Sequence, residues 1–168
     1  PFKVDARPNL TVLRVKGLVK RWGLCASLIE YVRKENLPLV TTHFIPALAA
    51  DYLGLEDVYC IVTDTDINRV WAIDKPAQTR IKYLTPSRHA TIRLRQYEVP
   101  EERITLTGFP LPRENVGGRD QKILKKDLAE RLPNLDPKKK FMPVYEEVLK
   151  KYLGEVKAKS NHPLTLCY

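Results

Sequence analysis

Three short apolar segments between residues 59 and 112 each end in polar, glycine or proline residues, and this pattern constrains the fold more than any other feature. The first ends in Thr-Asp-Thr-Asp at residues 63–66, the second in Thr-Pro-Ser at 85–87 and the third in Thr-Gly-Phe-Pro at 107–110. In open α/β sheets, ligands bind outside the carboxyl ends of the strands. The pattern therefore predicts a parallel sheet and a chemical role at one of its edges.

Strand-like and helix-like segments alternate along the chain. Residues 58–63 are almost wholly apolar, as expected of a strand buried on both faces. We therefore predict a Rossmann-like α/β fold, a mostly parallel sheet with flanking helices. The predicted strands are 39–42, 58–63, 81–85, 103–107 and one that begins near Leu164. The predicted helices are 45–53, 88–97 (capped by Ser87), 120–132 and 144–153.

One more apolar helical face runs from Leu18 to Val32. Gly17 and Gly23 weaken this segment, so we expect the helix to bend or break in two there, because glycine weakens a helix interior. Trp22 lies on this face and is predicted to be a core anchor.

The 168 residues, 43% of them hydrophobic, are enough for one globular domain with a real core. We assign residues 1–160 to an incomplete Rossmann-like domain and residues 161–168 to a linker or to the start of a further domain. The chain starts without Met and ends in a strand-like run, so we expect a fragment of a longer protein. No apolar run approaches the ~20 residues of a membrane span. The three cysteines have no C-x-x-C spacing, which argues against a disulfide framework and a thiolate zinc site.

The net charge of +9 is concentrated toward the ends of the chain. A basic face attracts phosphate groups on nucleic acid, nucleotide or anionic lipid. The alternative is a solvated helix surface with no partner.

Asp64 and Asp66 follow the most apolar strand, and four interpretations of this pair stay open. Two carboxylates can hold a divalent metal that bridges a nucleotide diphosphate. One can be the nucleophile of an aspartyl phosphotransferase. One can orient an acceptor hydroxyl or act as a base. Finally, both can accept backbone N–H bonds in a turn.

The remaining candidate residues flank the same edge of the predicted sheet. His43 precedes a helix and is either a base or substrate contact, or a structural residue. Arg88 begins a helix whose N-terminus attracts anions, with Ser87 beside it. Arg69 is a further cleft candidate, and Trp71 either stacks on a sugar ring or fills a cleft wall.

Gly108, Phe109 and Pro110 follow the strand at 103–107. Glycine at that point lets the backbone turn sharply or approach a ligand closely. Neither this segment nor Gly117-Gly118 matches a dinucleotide or P-loop fingerprint.

Residues 37–112 resemble the second half of the N-terminal domain of a GT-B glycosyltransferase, in the group of monogalactosyldiacylglycerol synthase, the processive diacylglycerol glucosyltransferases and the peptidoglycan N-acetylglucosaminyltransferase. The matching features are the strand-helix step at 39–50, Thr63-Asp64 followed by Trp71, and Pro86-Ser87. The most specific is V-P-x-x-R-I-x-x-T-G-F-P at 99–110, because it combines order, spacing and residue type.

This resemblance implies an inverting, nucleotide-sugar-dependent transferase, of which the chain is the acceptor-side part. The nucleotide-sugar donor would bind a further domain without a metal, and we expect no cofactor. A lipid or other acceptor, an anionic membrane surface and a cytoplasmic, peripheral location are implied as well. The family's glycine-rich loop with its catalytic His or Asp is not in this chain, and His43 does not correspond to it. We therefore expect the catalytic base outside the chain and the fragment alone to be inactive.

Two rival functions remain as alternatives to the transferase. A non-enzymatic module could bind nucleic acid through the basic ends, although no RNA-binding aromatic motif or helix-turn-helix supports specific recognition. An aspartyl phosphotransferase could use Asp64 and Asp66, although no later acidic pair completes its metal site.

Overall fold

The computed structural model describes residues 9–156, which separate into two compact units, one up to Pro110 and one from Leu111 onward. The strands of the first unit are β1 (Leu39–Thr41), β2 (Val58–Ile61), β3 (Lys82–Thr85) and β4 (Ile104–Leu106). Its α-helices are α1 (Leu10–Trp22), α2 (Ala26–Lys34), α3 (Phe44–Tyr52) and α4 (Arg88–Gln96). The predicted boundary at residue 160 and the predicted strand near Leu164 lie outside the described residues.

The sheet is parallel throughout, and its strand order β1-β2-β3-β4 follows the chain. The prediction of a Rossmann-like α/β fold is therefore confirmed. In the central register Cys60 pairs with Thr41 on one side and with Tyr83 on the other. Because crossovers between parallel strands are right-handed, three successive connections of this kind lie on one face of the sheet. On the opposite face Val40 is exposed, and Tyr59 and Leu84 are half-buried. The expectation that the strand at 58–63 is buried on both faces is therefore wrong, because the residues of β2 alternate between buried and half-buried.

Helix α3 lies at the centre of the first unit. It contacts α1, β1 and β2, and five consecutive residues from Ala47 to Asp51 are buried. Three of these are alanines, which let neighbouring backbones approach closely. At its carboxyl end, Lys20 Nζ donates to the Tyr52 carbonyl at 2.6 Å and Arg33 donates to the Leu53 carbonyl at 2.9 Å. Cations at this end of a helix also interact favourably with its dipole.

The predicted interruption of the first helical segment is confirmed at Gly23 and not at Gly17. Gly23 has φ +67° and caps α1 in the left-handed region, so a new helix, α2, begins at Ala26. Gly17 stays helical within α1. The prediction that Trp22 anchors the core is wrong, because its side chain is 76% exposed. The apolar contacts of α1 come instead from Val12, Val15 and Val19.

The second unit contains the short helix α5 (Arg113–Val116) and the longer helices α6 (Lys122–Leu135) and α7 (Glu146–Leu153). Asp136 caps the end of α6 and holds the following loop. Its carboxylate accepts backbone N–H bonds from Lys140, Phe141 and Met142 at 2.9, 2.9 and 2.7 Å. These three donors lower the pKa of Asp136.

Candidate functional site

Polar residues from all four strand ends lie at the carboxyl edge of the sheet. The parallel arrangement places His43 after β1, the Asp64–Asp66 segment after β2, Ser87 after β3 and Gly108 after β4. This is the edge at which ligands bind in open α/β sheets. The sequence prediction of one shared edge therefore agrees with the topology.

The connection from β2 to β3, residues 62–81, contains no α-helix, and its first residues lie at this edge. It has only two short 3₁₀ turns, Arg69–Trp71 and Pro76–Gln78. Backbone carbonyls without a helical partner need other donors or water. Side chains supply them here: Ser87 Oγ to the Thr65 carbonyl (2.6 Å), Tyr97 to Ile67 (3.2 Å), Tyr83 to Trp71 (2.8 Å) and Arg69 to Ala72 (2.6 Å).

Asp66 is held by an arginine of α4. Arg93 Nε lies 3.0 Å from Asp66 Oδ1 and Arg93 Nη2 lies 3.2 Å from Oδ2, a two-point contact. The Ile67 N–H also donates to Oδ1 at 2.9 Å. The hydrogen bond from Arg93 is the main cause that lowers the pKa of Asp66. Asp66 is therefore ionised and paired with Arg93. The bond that it accepts from the Ile67 N–H is of the kind expected if the aspartates form a turn.

Asp64 differs from Asp66 in its surroundings. Its side chain is exposed, and among the described residues it forms no ion pair. It follows β2 by three residues, at the same edge as the bond between Ser87 and Thr65. Of the two carboxylates, Asp64 is thus the one open to an incoming hydroxyl group.

Arg69 and Trp71 are buried within the loop. Arg69 is 6% exposed, and its guanidinium lies over the Tyr97 ring at 5.6 Å. Burial lowers the pKa of Arg69. Trp71 is 5% exposed. Of the two predicted roles, its ring therefore fits the filling of a cleft wall better than stacking on a sugar. Both side chains support the loop from inside.

His43 is the N-cap of α3 and remains exposed. Its Nδ1 accepts a hydrogen bond from the Ile45 N–H at 3.3 Å, so in the neutral ring the proton is on Nε2. The imidazole stacks on Phe44 with 4.5 Å between ring centroids, and Phe44 lies 5.8 Å from Trp71. The three rings thus connect the end of β1 with the β2–β3 loop.

Ser87 caps α4 as predicted, since its Oγ accepts from the Ala90 N–H at 3.1 Å. The same hydroxyl donates to Thr65, and so joins the ends of β2 and β3. Arg88, the first residue of α4, is exposed. No described contact places it against Asp64.

The glycine turn after β4 has a conformational cause. Gly108 has φ +83°, in the left-handed region, and no atom lies within 4 Å of a Cβ built on it. The N–H groups of Thr107 and Gly108 both donate to the Thr85 carbonyl, at 2.9 and 3.2 Å. Glycine is therefore used here for a sharp turn, one of the two predicted reasons. Phe109 and Pro110 are exposed, and no described contact brings them to the aspartates.

Sequence reasoning missed Arg93 and Tyr97, which fix the loop. Arg93 is separated from Asp66 by 27 residues, and Tyr97 from Ile67 by 30. No local spacing pattern connects pairs so distant along the chain. A weak signal was available, since both follow Ser87 on the same predicted helix.

Residues 9–156 contain no group of three or more His, Cys, Asp or Glu side chains placed to hold a metal ion. Within the same residues no helix combines the length and apolarity needed to cross a bilayer.

Comparison with known proteins gives no relative for this chain. No protein-family model, no curated protein and no solved structure matches it.

Proposed function

We propose that the chain is the acceptor-side part of a nucleotide-sugar-dependent glycosyltransferase of the GT-B type. The observation that carries the proposal is the bond from Ser87 to the Thr65 carbonyl. It joins the ends of two neighbouring strands and fixes the Asp64–Asp66 segment at the ligand-binding edge of a parallel sheet. The glycine turn at Gly108 ends the motif that most resembles this group, and its left-handed backbone, with φ +83°, favours glycine at that position.

The two aspartates take different roles in this proposal. Asp64, exposed at the edge, accepts a hydrogen bond from the acceptor hydroxyl and orients it. Asp66, held by Arg93, fixes the turn that carries Asp64. His43 presents Nε2 at the neighbouring strand end as a hydrogen-bond donor to the acceptor. The nucleotide-sugar donor is held by a further domain.

Sugar transfer by the complete protein that contains this chain tests the proposal. Labelled nucleotide-sugars are supplied with lipid acceptors, and transfer is followed as label in the lipid phase. Asp64→Ala should lower kcat/KM by roughly 100-fold, the loss expected when the group that orients a reacting hydroxyl is removed. The matched control is Asp57→Ala, which removes an exposed aspartate at the opposite end of β2. Unchanged kinetics in Asp64→Ala would refute the role of Asp64.

The aspartyl phosphotransferase makes a different prediction for the same residues. It requires magnesium-dependent phosphatase activity that both Asp64→Ala and Asp66→Ala abolish. The contact between Asp66 and Arg93 weighs against it, because a guanidinium already occupies both carboxylate oxygens.

A nucleic-acid-binding module is favoured only by the net charge of +9. Phosphate contacts make such binding fall steeply with salt concentration. A steep salt dependence with single-stranded or duplex probes, together with no sugar transfer by the complete protein, would replace the transferase proposal.

The proposal also gives the protein a place at a membrane. A lipid acceptor is met at the bilayer surface, and a basic protein is attracted to anionic lipid there. We place the protein on the cytoplasmic side, as a peripheral protein.

A further inference from the structure

Helix α7 and the turn before it expose a continuous stripe of apolar side chains. On the helix, Val148 is 51% exposed and Tyr152 is 62% exposed. The turn adds Val144 at 73%, Tyr145 at 46% and Phe141 at 47%, and the Phe141 and Tyr145 rings lie 4.5 Å apart. At about 100° per residue, Tyr145, Val148 and Tyr152 fall within an arc of about 60°. These five residues, the α7 stripe, have the three- and four-residue spacing by which one helix meets another.

The α7 stripe is not the side by which the helix joins its own unit. Helix α7 contacts α6, and Leu153 lines one cleft with Ala129 and Glu130 of that helix. Leu149 and Leu153 are half-buried, and both lie on the other side of Tyr145 from Val148. The helix therefore uses one apolar side within its unit and leaves the adjacent one exposed.

The charges of α7 make the helix complementary to itself. Glu146 and Glu147 are in its first turn, and Lys150 and Lys151 are in its last. Glu147 and Lys151 both lie beyond Val148, on the same side of the stripe. When two copies pack antiparallel about a two-fold axis, that side of one helix meets the same side of the other, and Glu147 of one copy faces Lys151 of the second. A parallel pair would instead set like charges against each other.

The same charges argue against other kinds of partner. Two glutamates beside the stripe repel nucleic acid and anionic lipid, so the stripe fits a protein surface. Because α7 has as many acidic as basic residues, pairing two copies of it adds no net repulsion to a chain of charge +9.

Other exposed apolar surfaces of residues 9–156 give a weaker indication of what covers them. On α1, Leu13 and Trp22 are both exposed but point to opposite sides of the helix, so they do not form one face. On the open face of the sheet, the charge of Lys82 is already matched by Asp57 at 3.0 Å. The α7 stripe is the surface whose own charges specify a partner.

We infer that the α7 stripe is a two-fold interface between two copies of this chain, with their α7 helices antiparallel. Val148 lies near the axis, Tyr145 of one copy packs near Tyr152 of the second, and the charged contacts flank them. Five side chains of about half exposure offer roughly 100 Å² each, so two copies bury about 1,000 Å². That area is at the low end for a specific interface, and we expect a dissociation constant of about 10 µM. The interface does not depend on the proposed sugar transfer.

Sedimentation velocity of the 168-residue chain tests the interface. Between about 1 and 200 µM, a range that brackets the expected dissociation constant, the mass should rise from that of one chain to that of two. Val148→Ser should weaken the dimer roughly tenfold, because a two-fold axis removes the side chain from both halves of the interface. The matched control is Ile92→Ser, which removes an apolar side chain of similar exposure, 49%, from α4 and should have no effect.

Charge substitutions determine the orientation of the two helices. Glu147→Lys alone and Lys151→Glu alone should each weaken the dimer about fivefold, since each sets like charges against each other twice in an antiparallel pair. An equimolar mixture of the two variants should dimerise again, because each contact in the mixed pair joins opposite charges. The control is Glu102→Lys, which changes an exposed acid outside α7.

Three results would overturn the inference. A chain that stays monomeric at about 200 µM would leave the stripe to a different protein. A dimer that Val148→Ser does not weaken would place the contact elsewhere on the chain. A dimer in which neither charge variant alone has an effect would exclude the antiparallel arrangement, because a parallel pair already opposes like charges. Circular dichroism checks that each variant keeps its helix content, as expected for substitutions of exposed side chains.

Discussion

Replacing Asp51 by alanine should destabilise the first unit strongly, because this carboxylate is a buried acceptor between α3 and β3. Its side chain is only 2% exposed. Thr79 Oγ1 donates to Oδ2 at 3.0 Å and the Arg80 N–H donates to Oδ1 at 3.0 Å. Alanine leaves both donors without this acceptor, at about 1.5 kcal/mol each, so we expect a loss of about 3 kcal/mol.

Urea unfolding followed by tryptophan fluorescence measures this loss. Trp71 is buried in the same unit and reports its unfolding, whereas Trp22 is already exposed. With a slope of about 2 kcal/mol per molar urea, a loss of 3 kcal/mol lowers the midpoint by about 1.5 M. The matched control is Glu56→Ala, because Glu56 contacts the same Arg80 but is 77% exposed. An exposed ion pair contributes little, so this midpoint should hardly move.

The pH dependence of the same site has a definite sign. Burial is the largest influence on Asp51 and raises its pKa, against the opposing hydrogen bonds from Arg80 and Thr79. The folded state therefore binds this proton more readily than the unfolded state, and stability falls as the pH rises through the raised pKa. Relative to Asp51→Asn, the wild-type chain should therefore become more stable as the pH is lowered from 7 to 4. A loss below about 1 kcal/mol in Asp51→Ala, or a pH-independent difference from Asp51→Asn, would refute this reasoning.

Three further predictions concern single positions, each measured by chemical denaturation followed by circular dichroism. Gly117→Ala should lower the free energy of unfolding by more than about 2 kcal/mol, because φ is +83° and the new Cβ would lie 2.7 Å from the Ile123 nitrogen. Gly118→Ala, whose new Cβ has no atom closer than 3.8 Å, should lower it by only about 1 kcal/mol of backbone strain. Equal losses in the two variants would contradict the steric argument. Gly17→Ala should stabilise α1 by about 0.5–1 kcal/mol, since the residue is helical and no atom lies within 4 Å of the new Cβ. A loss of stability in this variant would show that the position is sterically constrained. Asp136 has a lowered pKa, so its stabilisation should be lost as the pH falls below about 4, and Asp136→Asn should remove that dependence from the second unit.

The sheet and most of its flanking helices could be predicted from local patterns. The apolar run of β2, the Ser87 cap and the left-handed glycines at Gly23 and Gly108 are short-range signals, and the structure contains each of them. Trp22 shows the limit of this reasoning. Its spacing matches an apolar helical face, but periodicity does not say whether that face meets the core or an external partner.

The candidate site was predictable as an edge and not as a set of contacts. Parallel topology alone brings the strand ends together, so His43, Asp64, Ser87 and Gly108 were placed correctly at one edge. The contact that engages Asp66 comes from Arg93, 27 residues away in sequence. Only the packing of α4 on the sheet decides which carboxylate is paired and which is open.

The β2–β3 connection explains why these particular side chains occur around the site. A crossover helix would satisfy its own backbone, but this loop has only short 3₁₀ turns, so its carbonyls depend on donors from elsewhere. Two of these donors are the residues that cap α4: Ser87 donates to the Thr65 carbonyl and Tyr97 to the Ile67 carbonyl. Arg93, within the same helix, adds the contact to Asp66. The segment that carries Asp64 is thus held by one helix and its caps. A substitution that unfolds the last turn of α4 at an exposed position, such as Gln96→Pro, should therefore disturb the site while leaving β1 and α3 folded, which amide hydrogen exchange can measure. Uniform loss of protection across the first unit would show that α4 is part of one cooperative core instead.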